Sequence, residues 1–358
     1  MNDSPRTLRR TAARAVAIAA SVALAATFAG CSAAVDKPVA STGPASLIPV
    51  EDGAYPTTIT HAFGEAVIEE EPQRVITIGI SSEDTVIALG VVPVAVPDET
   101  WAGDEDGYLP WFRDAVEDRG ADMPVTLNAS ETGELDFEQI LDLEPDLILA
   151  PYSGITETDY KRLDSIATTV AYAGEAWGIT SWQDQATIIG QALGRPAYTQ
   201  TLISQAETAV TDAAAAHPEF EGKTFAYGMA LTEGSTDLAF YDRKDGRVTF
   251  TEQLGLTMSP DVADISANRP ADVWYGAVSL EELDAVDSDI FIAWADNQAQ
   301  VDRSLATSLL AQWTPVASDR AIWITDKQLA RATTSVSIIS MEWALDRYVP
   351  LLADAVAK

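Results

Sequence analysis

The sequence is poor in the residues that most often build covalent or metal-centred sites. It contains one cysteine, Cys31, and two histidines, His61 and His217, in 358 residues. A single cysteine excludes a disulfide bond within the chain. A site for a bare zinc or manganese ion needs several histidines together with carboxylates, whereas His61 precedes the first predicted strand and His217 ends a long predicted helix. We therefore expect no resident metal ion.

Basic residues are also scarce. Lysine and arginine together number 22 against 55 aspartates and glutamates, which gives a formal net charge of −33. This balance argues against nucleic acid as a partner. A strongly acidic composition more often reflects a need for solubility, or an adaptation to high salt, than the kind of ligand that a protein binds. The charge alone therefore does not identify a ligand.

The apolar segment near the amino terminus, Ala15–Phe28, is too short to span a bilayer comfortably. It follows four arginines and ends in small residues directly before Cys31. This pattern predicts an export signal over residues 1–30 rather than a membrane span. The adjacent pair Arg9 and Arg10 leaves twin-arginine export open beside the general route.

The residues around Cys31 predict a lipid anchor. Ala29-Gly30-Cys31 resembles a bacterial lipobox, although Phe28 stands where that motif usually has leucine. The resemblance implies cleavage before Cys31 and lipid on its sulfur and new amino terminus; the alternative is a chance cysteine near an ordinary cleavage site. Acyl chains can hold a protein on a membrane without a transmembrane helix. We expect residues 31–56 to tether the exported protein flexibly to the outer face of the cytoplasmic membrane.

One segment of the sequence occurs twice without a gap. Leu135–Ala150 (LDFEQILDLEPDLILA) recurs as Val278–Ala293 (VSLEELDAVDSDIFIA). Each copy starts with a residue that can cap a helix, Asp136 or Ser279, and ends in an apolar run typical of a strand buried on both faces. Each copy therefore predicts a short helix and a parallel strand. The duplication predicts two similar α/β lobes, and a cleft between lobes is a common place for a small ligand.

The rest of the sequence predicts the same architecture. Strand, helix and strand follow one another quickly over Arg74–Gly79, Glu83–Gly90 and Val91–Val96, as in a parallel sheet. The unbroken stretch Pro196–Ala216 predicts a long rigid helix that connects the lobes.

The last part of the chain, Val336–Ala357, predicts a closing helical region that is interrupted near Pro350. The lobe boundaries follow from these elements. We expect an amino-terminal lobe over residues 57–194, a connecting helix over residues 195–217 and a carboxy-terminal lobe over residues 218–358.

Four passages carry a family resemblance: PQRVITIGISSEDTVIALGVVPVAV at Pro72–Val96, FEQILDLEPDLILAPYSG at Phe137–Gly154, LEELDAVDSDIFIAW at Leu280–Trp294 and SVSIISMEWALDRYVPLLADA at Ser335–Ala355. In this order they resemble the lipoprotein substrate-binding receptors of bacterial ABC importers for ferric siderophores, whose relatives also carry haem and cobalamin. The resemblance implies an α/β fold of two similar lobes with mainly parallel sheets, joined by a single long rigid helix (the class III periplasmic-binding-protein fold). It also implies a monomeric receptor without enzymatic activity or cofactor, in which iron is present only within the bound chelate.

In that family one glutamate per lobe, at the start of the helix in the repeated unit, docks into arginine pockets on the importer's membrane subunits. By position in the motif these residues are Glu138 and Glu281. Both lie beside the predicted caps and are not needed for them, which is consistent with docking. The alternative is a glutamate that only stabilises the start of the helix, an effect of about 0.3–1 kcal/mol.

The predicted cleft lies at the carboxyl ends of the strands, where ligands of α/β sheets gather. Aromatic rings can cover the apolar body of a bulky metal chelate, and guanidinium groups can donate to the oxygens around its iron. Packing within the core is the alternative for any one of these side chains. The candidate ligand-binding residues are Trp101, Tyr108, Tyr152, Tyr241, Arg243, Arg247, Trp274, Tyr275, Trp294 and Arg331.

The sequence leaves the cargo open. Hydroxamate, catecholate and mixed siderophores would all use arginine and aromatic contacts, and cobalamin or haem is the alternative cargo. A secreted lipoprotein hydrolase is the alternative from another class, but GISSE around Ser81 lacks the second glycine of a nucleophile elbow. A glycosidase-type pair of carboxylates stays open. We expect capture of a ferric siderophore and its delivery to the permease subunits of an ABC importer.

Overall fold

The computed structural model of the chain describes residues 48–127, 134–177, 181–269, 273 and 275–358. The predicted export signal, the predicted lipidation site Cys31 and the candidate ligand residue Trp274 lie outside these residues. Within the described part of the chain, none of the helices combines the length and the apolar character that crossing a lipid bilayer requires.

The first lobe is built around a parallel sheet of five short strands. An antiparallel hairpin of β1 (Thr57–His61) and β2 (Gly64–Ile68) precedes it. The sheet contains β3 (Val75–Thr77), β4 (Ala95–Pro97), β5 (Val125–Leu127), β6 (Leu147–Ala150) and β7 (Thr168–Ala171). The strand order is β5-β4-β3-β6-β7, and all neighbouring strands are parallel.

Helices pack on both faces of this sheet. They are α1 (Ser82–Ala88), α2 (Pro110–Asp118), α3 (Phe137–Asp142), α4 (Glu157–Asp164) and α5 (Trp182–Ala192). Because successive side chains of a strand point to opposite faces, Leu147 and Leu149 pack with Val86 of α1 and Ile189 of α5, whereas Ile148 packs with residues of α3 and α4. The wholly apolar run of β6 is thus buried on both sides, as predicted.

A single helix, α6 (Pro196–Ala216), leads from the first lobe to the second and has the bounds predicted from the sequence. Pro196 occupies its first turn, where the missing N–H costs nothing. The side chain of Glu51 caps the helix, since its Oε1 accepts hydrogen bonds from the N–H groups of Ala197 and Tyr198 at 2.8 and 3.0 Å. Glu51 belongs to the segment predicted as a flexible tether, so the end of that segment is held against α6.

The second lobe contains a mixed sheet. Its strands are β8 (Thr224–Met229), β9 (Asp237–Tyr241), β10 (Thr257–Met258), β11 (Tyr275–Ser279), β12 (Ile290–Trp294) and β13 (Ala321–Ile324). The order is β11-β9-β8-β12-β13, with β10 beside β8. The strands β8, β10, β12 and β13 are parallel, whereas β9 is antiparallel to β8 and β11 is antiparallel to β9.

Helices also surround the second sheet. They are α7 (Gly246–Gln253), α8 (Pro260–Ala267), α9 (Gln298–Ala306), α10 (Ser308–Gln312), α11 (Thr314–Ala317), α12 (Lys327–Thr334) and α13 (Ser340–Ala357). The ring of Phe291 on β12 contacts the rings of Phe240, Trp313 and Trp323 at the centre of this core. The connecting helix α6 packs against α5 of the first lobe and against α7 and α13 of the second.

The repeated segment has different structures in its two copies. In the first copy, Asp136 caps α3 by accepting from the N–H groups of Glu138 and Gln139, as predicted. In the second copy the prediction of a short helix is wrong. Ser279 ends β11, where it pairs with Asp237 of β9, and only a single 3₁₀ turn, Leu283–Ala285, precedes β12. Pairing with β9 therefore takes up the residues that would have started the helix.

The repeat nevertheless holds both sheets together in the same way. In the first lobe, the Asp146 carboxylate accepts from the backbone N–H groups of Gln73 and Arg74, at the start of β3. In the second lobe, the Asp289 carboxylate accepts from the N–H and the hydroxyl of Thr224, at the start of β8. Each aspartate thus fixes its own strand beside the neighbouring parallel strand.

The closing helix α13 continues through Pro350 without the predicted break, so that prediction is wrong. Pro350 is exposed, and so is Asp346, whose carbonyl loses its helical partner and can be hydrated instead. On the opposite face Tyr348 and Leu352 are fully buried. Packing of that face therefore outweighs the single lost hydrogen bond.

Candidate functional site

The loops after β3 and β6 form one wall of the site. β3 connects to β4 on one side of the sheet and β6 connects to β7 on the other, and ligands of α/β sheets bind where such connections diverge. The N–H of Ile80 donates to the carbonyl of Tyr152 at 3.1 Å. Gly79 has a φ of +99°, and a Cβ there would lie 2.1 Å from the same carbonyl oxygen. Glycine is therefore required for the two loops to meet.

Ser81 connects this wall to the second lobe. It precedes α1 with φ 60° and ψ 10°, a left-handed conformation that is uncommon for residues other than glycine. Its side chain is buried, and its hydroxyl donates to the carbonyl of Ser335, after α12, at 3.1 Å. Strained backbone of this kind clusters at functional sites, which directs attention to the space beside Ser81.

A cavity of about 600 Å³ lies between the lobes at this point. Its first-lobe lining includes Ser81, Tyr152 and Trp177. Its second-lobe lining includes the Asp242–Gly246 turn, apart from Arg243, and the residues after α12. A smaller cavity of about 290 Å³ shares Ser81 and Trp177 with it. Small-molecule sites in proteins typically measure roughly 300–1,000 Å³, so this cleft is large enough for a bulky ligand.

Aromatic rings form the apolar part of the lining. The rings of Tyr152 and Trp177 pack edge to face with centroids 5.9 Å apart. Trp177 lies directly over Gly154, where a Cβ would approach the indole Nε1 to 2.1 Å. Trp182 and Phe250 add further aromatic surface. Such rings can cover the apolar body of a ligand and leave their polar atoms for hydrogen bonds.

Ion pairs dominate the second-lobe side of the cleft. Arg269 lies 2.7 Å from Asp242, and Arg247 makes two hydrogen bonds of 2.7 Å to Asp245. The guanidinium of Arg247 also stacks over the ring of Tyr241, 3.5 Å from its centroid. Each arginine is thereby held in a fixed orientation.

Another ion pair joins the two lobes at the smaller cavity. Arg331 of α12 lies 2.9 Å from Glu99, which follows β4 in the first lobe. The guanidinium also lies 5.3 Å from the centroid of the Trp101 ring. Trp101 in turn packs edge to face against Trp294 of the second lobe, with centroids 6.0 Å apart. The lobes therefore meet through polar and aromatic contacts beside the cavities.

Two adjacent acidic residues lie next to the smaller cavity, and of these Asp84 is fully buried and Glu83 is partly exposed. Glu83 lines it, and its Oε2 is buried without a hydrogen-bond partner among the described residues. Burial, together with the charge of Asp84, raises the pKa of Glu83 well above its ordinary value. Burial also raises the pKa of Asp84 to about 7, opposed by hydrogen bonds from Ser337 and Trp111. A protonated Glu83 is a hydrogen-bond donor, so the cavity can offer a neutral donor here.

Both the sequence and the architecture match a known family. A sequence profile of the periplasmic binding protein family matches residues 75–328. The chain belongs to this family. Its two lobes, single connecting helix and inter-lobe cavity are therefore those of a binding protein associated with transport.

Similar proteins extend the match. This periplasmic binding protein is 26% identical over 240 residues to the Fe(3+)-citrate-binding protein YfmC of Bacillus subtilis. The aligned region covers 67% of this chain and 69% of YfmC. PiaA of Streptococcus pneumoniae, solved in complex with ferrichrome, has 28% identity and a TM-score of 0.71 over 84% of this chain and 98% of PiaA. A periplasmic solute binding protein of Mycobacterium smegmatis has 31% identity and a TM-score of 0.70 over 84% and 98% of the two chains. The predicted fold class is confirmed.

Several candidate ligand-binding residues of the periplasmic binding protein lie at the cleft. Tyr152 lines the larger cavity and Arg331 the smaller one. Trp101 and Trp294 form the aromatic contact between the lobes, and the Trp294 indole N–H donates to the hydroxyl of Tyr241 at 2.5 Å. Together with Arg247, which stacks on Tyr241, these residues support the cavity wall. Their contact with ligand stays a prediction.

The other candidates lie elsewhere. Tyr108 is buried, and its hydroxyl donates to the carbonyl of Pro124 at 2.5 Å. Arg243 has a side chain that is 58% exposed and lies 3.4 Å from Glu252. Tyr275 begins β11 opposite Tyr241. None of these three side chains lines the two cavities described above.

Sequence reasoning did not select several residues that do line the cavities: Ser81, Glu83, Trp177, Asp242, Lys244 and Arg269. Asp242 and Lys244 flank Arg243, so the difference concerns which side chains of one turn face the cleft. Trp177 and Arg269 belong to irregular segments without periodicity. Among these residues only Ser81 has a sequence signal, since it closely follows a glycine, Gly79, between a predicted strand and a predicted helix.

The predicted docking glutamates lie in different local structures, a helix in the first lobe and a turn in the second, but both are exposed. Glu138 is exposed in the first turn of α3, and its N–H donates to the cap residue Asp136 at 3.1 Å. Glu281 is exposed in the turn after β11, and its N–H donates to the hydroxyl of Ser279 at 3.3 Å. Neither carboxylate is used by these local hydrogen bonds, so both are accessible to a partner.

The histidines lie away from the cleft. His61 packs against the rings of Phe63 and Tyr160, and His217 lies 2.9 Å from Glu219. Across the described ranges, no group of three or more histidine, cysteine, aspartate or glutamate side chains is arranged to hold a metal ion.

Proposed function

We propose that this periplasmic binding protein captures a ferric siderophore in the cavity between its lobes and delivers it to the membrane subunits of an ABC importer, without chemistry of its own. The cavity of about 600 Å³ carries the proposal, because it joins an aromatic wall to hydrogen-bonding and charged groups on two lobes. A relative named for ferric citrate and a relative solved with ferrichrome support the choice of cargo.

The contacts between the lobes suit a receptor with small opening movements. The helix α6 packs against both lobes and limits their rotation. The Ser81–Ser335 and Asp84–Ser337 hydrogen bonds and the Arg331–Glu99 ion pair cross the cleft. These few polar contacts can break and re-form as a chelate enters and leaves.

We further propose how the receptor is held and where it docks. Lipid on Cys31 anchors it at the outer face of the cytoplasmic membrane, and Glu138 and Glu281 contact the permease subunits. The lobes extend over residues 57–194 and 218–358 on either side of the helix at 195–217. The protein acts as a monomer without a resident cofactor, and iron reaches it only inside the chelate.

Titration of the soluble form that starts at Ser32 tests the proposal, because this form keeps every described residue. Ferric hydroxamates, ferric catecholates, ferric citrate, haem and cobalamin would be added while the fluorescence of the nine tryptophans is followed. We expect saturable quenching by at least one ferric chelate, since Trp177 and Trp182 line the cavity.

A pair of variants locates the binding. Tyr152→Ala should weaken chelate binding by about tenfold, since an aromatic contact is worth roughly 0.5–1.5 kcal/mol beyond its buried area. Tyr198→Ala, which removes an exposed ring on α6 outside the cavity, should bind like the wild type. Binding of haem or cobalamin alone would reassign the cargo. Failure of every chelate, together with hydrolytic activity, would favour the enzyme alternative.

A further inference from the structure

The arginines at the cleft are already matched by carboxylates of the protein. The three ion pairs are Arg269–Asp242 at 2.7 Å, Arg331–Glu99 at 2.9 Å and Arg247–Asp245 at 2.7 Å. No side chain in these pairs is more than 23% exposed. Charges in such partly desolvated positions interact strongly with their partners, so a ligand anion would have to compete with the protein's own carboxylates.

The remaining charge of the lining is small. Lys244 lines the larger cavity and makes no ion pair with a described residue. Glu83 lines the smaller cavity, and burial raises its pKa well above the ordinary value. When Glu83 is protonated, the charges within each of the three ion pairs cancel, and only the positive charge of Lys244 remains. When Glu83 is ionised, it cancels Lys244 as well, so the cleft is close to neutral in both states.

The main classes of ferric chelate differ sharply in charge. Three hydroxamates, each a monoanion, neutralise ferric iron. Three catecholates, each a dianion, leave a trianion, and ferric citrate complexes are also anionic. A trianion in this cleft would meet at most one unpaired cation, beside four carboxyl groups of the lining. Juxtaposed like charges in an interface cost several kcal/mol.

We propose that the cleft selects a ferric trihydroxamate of zero net charge over anionic ferric catecholates and citrates. This inference rests on the proposed function and narrows it to one class of chelate. The field of the whole chain acts in the same direction, because a net charge of −33 repels anions as they approach.

Uncharged donors in the cavity suit the oxygens of such a chelate. The hydroxyl of Tyr152 makes no hydrogen bond to a described residue, and burial raises its pKa, so it stays protonated as a donor. The indole N–H of Trp177 belongs to the same lining. These groups can donate to hydroxamate oxygens without introducing charge.

Equilibrium binding to the full chain, purified in mild detergent, tests the inference. The probes are ferrichrome as the neutral trihydroxamate, a ferric tris-catecholate, and ferric dicitrate. We expect the Kd of ferrichrome to be lower than those of the two anions by about 100-fold at low ionic strength. Because salt screens repulsion between charges, rising salt should narrow this difference through tighter binding of the anions, while ferrichrome binding stays nearly constant.

Two substitutions test whether the internal carboxylates set this preference. Glu99→Gln and Asp242→Asn keep a hydrogen-bond acceptor beside each arginine but remove the carboxylate charge that lies 2.9 Å from Arg331 and 2.7 Å from Arg269. In the double variant, the ratio of the Kd of the tris-catecholate to the Kd of ferrichrome should fall at least about tenfold below the ratio in the wild type. The control Asp319→Asn breaks an exposed ion pair with Lys358 just before β13 and should change neither affinity.

The outcomes separate this inference from the proposed function. Tight binding of an anionic chelate with weak binding of ferrichrome overturns the neutral-cargo inference and leaves the receptor function intact. If the double variant discriminates between ferrichrome and the tris-catecholate as strongly as the wild type does, the neutral-cargo inference is also overturned and the receptor function again stays intact. Binding of no ferric chelate overturns both.

Discussion

Asp84 in the first lobe accepts a hydrogen bond of 2.6 Å from the hydroxyl of Ser337 in the second lobe, and both side chains are buried. The indole N–H of Trp111 donates to the same Oδ2 at 2.9 Å. The hydrogen bond between Asp84 and Ser337 thus joins the two lobes. Its Oδ1 is buried without a hydrogen-bond partner among the described residues, which makes ionisation of this group costly.

The stability of the protein should depend on the protonation of Asp84. Burial raises the pKa of Asp84 to about 7, from about 4 in an unfolded chain. The folded state therefore holds this proton more tightly than the unfolded chain, so the contribution to stability is complete below about pH 4 and is lost as the pH rises towards about 7. Since one pKa unit corresponds to about 1.4 kcal/mol, the loss reaches at most about 4 kcal/mol.

The variant Asp84→Asn isolates this effect, because it keeps an acceptor oxygen for Ser337 and Trp111 and cannot ionise. We expect its Tm to exceed that of the wild type by a margin that grows from about pH 5 to about pH 8. Thermal unfolding across this range is the measurement. Asp212→Asn, at an exposed position of α6, serves as the control. A margin that is independent of pH would contradict the prediction.

Replacement of Gly79 should be far more harmful than replacement of another glycine with positive φ. Gly79→Ala forces a Cβ against the carbonyl of Tyr152, so we expect a loss of about 3 kcal/mol or more together with weaker chelate binding. Gly120→Ala is the matched control, since its φ is +64° but the space around it is open. That variant should lose about 1–2 kcal/mol. Urea unfolding measures both, and equal losses would show that close approach of the loops is unimportant.

The segment before β1 should contribute to the stability of the connecting helix. Glu51→Ala removes the acceptor for two N–H groups of α6, and we expect a decrease of about 1 kcal/mol in the free energy of unfolding. Asp52→Ala changes the neighbouring exposed carboxylate and should shift it by less than about 0.5 kcal/mol. Chemical denaturation of both variants checks this. Equal stabilities would mean that the segment is only a tether.

Docking and ligand binding should be separable. The double variant Glu138→Ala with Glu281→Ala is expected to abolish uptake of radioactive iron into cells while the Kd of the chelate is unchanged, because both side chains are exposed and outside the cavities. Asp212→Ala with Asp302→Ala removes two exposed carboxylates of α6 and α9 and should transport normally. Normal transport by the Glu138 and Glu281 variant would refute the docking role.

Membrane attachment should depend on Cys31. We expect Cys31→Ala to move the protein from the membrane fraction to the soluble fraction, since the lipid is attached through this residue in the proposed receptor. Ser32→Ala leaves the attachment site intact and should remain with the membrane. Fractionation followed by immunoblotting is sufficient, and membrane retention of the Cys31 variant would argue against the lipid anchor.

Much of the fold could be predicted because its signals are local. The helix Pro196–Ala216 and the strand Leu147–Ala150 at the end of the first repeat copy have the residues expected from proline placement and apolar composition. The failures have tertiary causes. The helix expected after Ser279 is displaced by pairing with β9, and packing of the buried face of α13 overrides Pro350.

The types of residue at the candidate site could be predicted from the sequence, but the individual side chains that line the cavities could be predicted only in part. Aromatic and arginine side chains do lie at the inter-lobe cleft, as Tyr152 and Arg331 illustrate. Whether Arg243 or its neighbours face the cavity depends on the orientation of one turn, which no sequence period encodes. The same applies to Trp177, because its position depends on the space above Gly154.

The sequence by itself determined the two-lobed α/β fold, because apolar periodicity, caps and a duplicated segment act over a few residues along the chain. It also determined where exposed glutamates recur in the two lobes. Only the tertiary structure decided the charge of the cleft. Glu99 and Arg331 are 232 positions apart and become an ion pair only when the lobes meet. Pairing of charges depends on distance in space and burial, so composition alone could not show that the cleft is nearly neutral.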